Sequence, residues 1–172
     1  MEMDHRNVLL TVALGVLTAG AAVRSDERNA ALPMLLEVVN GEGKAVPFTA
    51  ADLAKLPQKE VAAKDHKGDE AKYAGVLVSD VLKSAEVALG ERLRGKLLTQ
   101  YLVVEAADKY RAVFSLPEVD PDWTDNVVLL ATSRNGAALD AAHGPLQIVL
   151  PAEKRHSRWV KQVVRLTVRT DS

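Results

Sequence analysis

The run from Asn135 to Thr170 constrains the fold more than any other part of this chain. Asn135-Gly136 is a pair that tolerates positive φ in a tight turn. Gly144-Pro145 opens the apolar segment Leu146 to Leu150, which Pro151 stops, so the segment reads as a short buried strand. A basic polar loop, Lys154-Arg155-His156-Ser157-Arg158, follows. Trp159-Val160-Lys161 then leads into a last strand in which Val164, Leu166 and Val168 alternate with Arg165, Thr167 and Arg169. That period predicts one buried face, carrying the three apolar residues, and one wet face.

Upstream, turn signals divide the chain into hairpins. Leu35 to Val39 and Ala45 to Phe48 flank Asn40-Gly41-Glu42-Gly43. Thr49 with Asp52 three residues later is a helix N-cap with an acid in the first turn, and Pro57 ends that helix by Leu56. Lys59 to Asp65 and Glu70 to Ala74 flank the turn His66-Lys67-Gly68-Asp69. Val78, Val81, Leu82, Ala85 and Leu89 recur at helical spacing, with Gly90 as the stop, and Leu93 to Leu98 predicts a further short helix. Tyr101 to Ala106 and Arg111 to Ser115 form a third hairpin around Asp108-Lys109. Leu116 to Asn126, with Pro117 and Pro121, reads as a loop or a single helical turn, and Val127 to Ala131 as a central strand covered on both faces. Hairpins with interspersed helices indicate an α+β fold.

With 172 residues, 48% hydrophobic and 26% charged, the chain supports one core and one domain. A net charge of -1 supplies no bulk attraction for nucleic acid, so none is expected as a partner, and any anion site must come from local clustering. Cysteine is absent, which excludes disulfides, thiolate-ligated zinc, iron–sulfur clusters and a cysteine nucleophile. No Gly-x-Ser-x-Gly, phosphate-cradling glycine loop or His-Glu-x-x-His occurs.

The N-terminus reads as an export signal. His5 and Arg6 precede an apolar run from Val8 to Val23, and Ala19-Gly20-Ala21 is a small-x-small cleavage site. A signal peptide over 1–22 and a linker over 23–34 are expected before a domain over 35–170, with an uncleaved anchor as the alternative and the only route to a membrane. Arg6 has no neighbouring arginine, so a periplasmic or secreted location reached by an unfolded-chain route is expected.

Tyr73-Ala74-Gly75-Val76, Ala107-Asp108-Lys109-Tyr110, Leu129-Leu130-Ala131 before Asn135-Gly136, Gly144-Pro145-Leu146 to Pro151, and Trp159-Val160-Lys161 occur in this order. In that order the chain resembles the sulfite-oxidase-like, molybdopterin-binding oxidoreductase domain family from about Leu35 to Val168. The resemblance implies mixed β-sheets with a β-grasp-like part and a few short helices. It implies a molybdopterin cofactor whose phosphate is held by the basic loop, with Lys154, Arg155, His156, Ser157, Arg158 and Lys161 as candidates and His143 as a pocket residue. It also implies a molybdenum-ligating cysteine before the equivalent of Tyr73, where Val61 to Lys72 has none, and an arginine where Gln147 stands. The expectation is therefore a short, cysteine-less member. It is either a molybdopterin binder without thiolate ligation, a cofactor-free binding or accessory module, or a small-anion-binding protein.

Other polar groups have plainer readings. Asp65, His66 and Asp69 could be drawn as a metal site, but turns select the same residues, and no metal site is assigned. Asp108 beside Tyr110 reads as a hairpin tip, and His143 before Gly144-Pro145, apart from the resemblance, reads first as a residue closing a turn. Trp159 is expected as a core wedge under the last strand, with its N–H satisfied locally.

Overall fold

The computed structural model describes residues 33–171, so the expected signal peptide and all but the end of the expected linker lie outside the described residues. In chain order the elements are β1 (Met34–Val39), β2 (Ala45–Thr49), α1 (Ala50–Ala54), β3 (Gln58–Lys64), β4 (Glu70–Leu77) and α2 (Val78–Ser84). There follow β5 (Gln100–Ala106), β6 (Arg111–Ser115), α3 (Leu116–Val119), β7 (Leu129–Arg134), β8 (Ala137–Ala138), β9 (Gln147–Val149) and β10 (Val163–Thr170).

Two sheets share one apolar core. The first has the order β2-β1-β10-β5-β6, with β1 and β10 parallel at its centre and an antiparallel hairpin on either side. This is the β-grasp-like part. Val38, Leu166 and Val104 stand opposite one another across three strands, all fully buried, so a single row of side chains joins the first and last strands of the domain to β5. The second sheet runs β3-β4-β7-β8, and β9 also pairs with β7. The central, doubly covered strand expected at Val127 to Ala131 is β7, which starts at Leu129 and continues to Arg134.

Local chemistry explains most boundaries. The capping box of α1 is complete: Thr49 Oγ1 accepts from the Asp52 amide at 3.2 Å and Asp52 Oδ2 accepts from the Thr49 amide at 3.1 Å. Asn135 and Gly136 take φ of 52° and 78° in the β7–β8 turn, as their residue types predict. Gly75 sits where β4 crosses β7 at a register shift, and a Cβ there would lie 2.1 Å from the Leu130 carbonyl oxygen, so only glycine permits the approach.

Three expectations need correction. The helix expected to reach Leu89 stops at Ser84, because Glu86 takes φ 65° and closes the end. Its amide donates to the Lys83 carbonyl and that of Val87 to the Leu82 carbonyl, a Schellman pattern, while Ala85 and Leu89 stay buried in the loop beyond. The short helix expected over Leu93 to Leu98 begins later and is 3₁₀: Leu93 and Arg94 link two such turns, Gly90–Arg92 and Gly95–Thr99, each started by a glycine at positive φ. In β10 a bulge between Val163 and Arg165 shifts the alternation, so Val163 takes the inward place beside Leu166 and Val168 while Val164 faces out.

Candidate functional site

One end of the second sheet and the basic loop enclose a cleft of about 170 Å³, lined by Asp65, His66, Tyr73, Arg134, His143, Gln147, His156, Trp159 and Lys161. The β3–β4 turn brings Asp65 and His66, β4 brings Tyr73, the last residue of β7 is Arg134, and Gln147 opens β9. The remaining four residues come from the segments flanking β9, His143 before it and His156, Trp159 and Lys161 after it.

Asp65 holds the turn and one wall together. Its Oδ1 accepts from the amides of Lys67 at 2.8 Å and Asp69 at 3.1 Å, and its Oδ2 accepts from Arg134 Nη2 at 2.7 Å. Desolvation opposes its charge, yet the Lys67 amide and the Arg134 guanidinium outweigh that effect and hold the carboxyl below its usual range. The Arg134 guanidinium also lies 5.7 Å from the centre of the Tyr73 ring. Burial in turn pushes the Tyr73 phenol up. Among the described residues no group of three or more His, Asp or Glu side chains is placed to hold a metal ion.

Trp159 is 6% exposed and packs edge-on against two rings, Tyr73 at 5.6 Å and His156 at 4.4 Å between centroids. It is a core wedge as expected, but its N–H is not satisfied locally. Nε1 of Trp159 and Nε of Arg134 are the two buried side-chain nitrogens left without a partner among the described residues. Both belong to residues of this cleft. The two histidines of the flanking segments are anchored from one edge: His143 Nδ1 lies 2.7 Å from Asp140 Oδ1, and His156 Nε2 lies 2.7 Å from the Lys64 carbonyl oxygen. Lys161 is exposed. Since Arg134 is paired with Asp65, the cleft is left with the charge of Lys161 and three imidazoles, and two of its lining residues carry an unpartnered N–H.

A second cleft of about 280 Å³ shares His156, Trp159 and Lys161 as a common wall and adds Asp108, Tyr110 and Ser157. Tyr110 Oη donates to the Ser157 carbonyl at 2.5 Å, and Asp108 serves the hairpin tip by accepting from the Tyr110 amide at 2.9 Å.

The candidates from the sequence therefore divide. His143, His156 and Lys161 meet in the first cleft, and Ser157 faces the second. Lys154 and Arg155 are exposed and line neither. Arg158 turns away: it bonds Glu118 at 2.7 Å and also Glu153, and lies 4.6 Å over the Phe114 ring. Arg134 was not among the candidates. The available signal was a charged residue closing a strand that begins apolar, directly before Asn135-Gly136, where it needs a partner that the linear sequence does not reveal.

Residues 35–172 match the family described as the oxidoreductase molybdopterin binding domain. No curated protein matches the chain. Among solved structures, the sulfane dehydrogenase SoxCD from Paracoccus pantotrophus is similar, with a TM-score of 0.61 at 25% identity. The match covers 79% of this chain and 38% of that one, so this chain spans well under half of the relative's length.

Proposed function

Because the chain belongs to the oxidoreductase molybdopterin binding domain family, we propose that it keeps the family's cleft as a binding site for a compact oxyanion and serves as a binding module without thiolate-ligated molybdenum. The observation that carries this reading is the pair of buried, unpartnered donors, Trp159 Nε1 and Arg134 Nε, on two residues that line a cleft with Lys161. A buried N–H without an acceptor costs about 1–3 kcal/mol, and an oxyanion supplies acceptors to both.

The residues present do not fit the complete cofactor. No cysteine exists to supply a thiolate, and Gln147, buried against the cleft, offers a neutral amide where the resemblance implies an arginine. Sites for drug-sized ligands and cofactors measure roughly 300–1,000 Å³. The cleft of about 170 Å³ is smaller, and a larger ligand would have to straddle the wall formed by His156 and Trp159. The apolar run from Val8 to Val23 supports placing this module in the periplasm or outside the cell, delivered as an unfolded chain.

The test is thermal unfolding of the purified protein in sulfate or phosphate against chloride at matched ionic strength. Stabilisation of about 2.7 kcal/mol is expected at a hundredfold excess over Kd. Lys161→Ala should fold as the parent does and lose most of that stabilisation. Metal analysis and pterin fluorescence on protein from its own host complete the test. Near-equimolar molybdenum or pterin, or equal stability in all the salts, would overturn the proposal.

A further inference from the structure

We infer that oxyanion binding in this cleft is coupled to proton uptake by His143 and His156. The inference rests on the oxyanion reading above and adds the condition under which the site fills.

The tautomer of each ring is set by its anchor. The Lys64 carbonyl can only accept, so the nitrogen 2.7 Å from it, Nε2 of His156, carries a hydrogen. A neutral His156 therefore has a bare lone pair at Nδ1. Asp140 is ionised, because the His143 hydrogen bond, working against some desolvation, holds its carboxyl below the usual range. An ionised carboxylate also only accepts, so Nδ1 of His143 carries the hydrogen at 2.7 Å and the lone pair falls on Nε2. Neither remaining nitrogen has a partner among the described residues, and it is the one each ring has left to offer a ligand.

In the neutral state each of these two cleft-lining rings thus keeps an acceptor, and the proposed ligand is itself all acceptors. Lone pair against lone pair is repulsive. Protonation converts each free nitrogen into a charged N–H donor without disturbing its anchor, because the anchored nitrogen keeps its hydrogen. The two histidines act as donors only when charged, whereas Trp159 and Arg134 are donors at any physiological pH.

Arg134 and Lys161 line the cleft with both rings. Asp65, the lining carboxylate, is already engaged by Arg134. Asp140 contacts His143 from its own loop, and on the far side of His156 the second cleft presents Asp108 and Tyr110. A bound anion attracts an imidazolium and not a neutral ring, so the ligand raises proton affinity and the proton raises ligand affinity by the same factor. His66, also in the cleft, has no anchor fixing its tautomer and can turn an N–H to a ligand while neutral.

The test is calorimetric titration with sulfate, which stays fully ionised, from about pH 5.5 to 8, where imidazole titrates. Runs in buffers of different ionisation enthalpy count the protons taken up. Affinity should fall by up to tenfold per pH unit for each coupled histidine as pH rises, with net proton uptake on binding. His143→Asn and His156→Gln each keep a neutral donor at the anchored position, so folding should survive, which near-UV circular dichroism checks. Each variant should lose its part of the pH slope, and the double variant should bind independently of pH. Sulfate binding with a flat pH profile and no proton uptake, or an unchanged slope in the double variant, overturns this inference and leaves the oxyanion site standing. No sulfate binding at any pH overturns the oxyanion site itself.

Discussion

Replacing Trp159 by phenylalanine separates a ligand-directed indole from an ordinary core tryptophan. The side chain is 94% buried, from its 6% exposure, and its Nε1 has no acceptor. Phenylalanine removes that orphan, relieving about 1–3 kcal/mol of desolvation. It also leaves a void of about 40 Å³, costing about 1 kcal/mol. The ligand-free variant should therefore be anywhere from equal in stability to about 2 kcal/mol more stable. Had the N–H been bonded within the protein, the same change would lose a bond as well as volume and destabilise by about 2 kcal/mol. The bound state moves the other way, because a hydrogen bond to a charged acceptor contributes about 1.5–3 kcal/mol and its loss weakens sulfate binding at least tenfold. Urea unfolding with and without sulfate at constant chloride reads both effects, with an unchanged m-value as the check on two-state behaviour. A variant destabilised by about 2 kcal/mol in plain buffer, with the sulfate effect intact, would refute the reasoning.

Gly75→Ala should lower stability by at least about 3 kcal/mol, because the added methyl meets the Leu130 carbonyl oxygen at 2.1 Å and Ala131 Cα at 2.8 Å, backbone atoms that cannot rotate away; an unchanged urea midpoint would contradict the close crossing. The hydrogen bond from the Thr49 hydroxyl, followed by that from Lys55, lowers Asp52 from 3.8 to about 2. Since the folded value is the lower one, Asp52 stabilises the protein above about pH 4 and its contribution disappears as pH falls through about 2, so Asp52→Asn should flatten the acid limb of a stability–pH curve. Arg158→Ala should destabilise by about 1–2 kcal/mol, through its lost contacts with Glu118 and Phe114, while leaving the sulfate effect unaltered. Loss of that effect in thermal unfolding would return Arg158 to the site.

Hairpins and turns were legible because their causes are local. Asn135-Gly136, Asp65 with Gly68 and Thr49 with Asp52 each carry their geometry in a few consecutive residues, and each adopts it. The bulge at Val163 and the helix end at Glu86 were not legible, since both depend on what packs beside them. The site was half legible for the same reason. Positive charge marks the loop from Lys154 to Lys161, but which of those cations faces a cleft is decided by partners far away in sequence: Glu118 draws Arg158 out, and Asp65 holds Arg134 in. Trp159 shows the limit most plainly. Its burial was readable from residue type, whereas its missing acceptor is a property of the space around it.

The parallel pairing of β1 with β10 has a consequence for how the chain is made. The first strand of the domain waits for nearly its last residues before the centre of its sheet can close, so the pairing carries a large loop-closure entropy and belongs late in folding. Until then the β1–β2 and β5–β6 hairpins each present a bare edge to solvent, the surface most prone to pairing with another chain. A chain cut before Val163 would keep both hairpins and lose the strand that joins them, so such fragments should aggregate and not accumulate as a smaller folded domain.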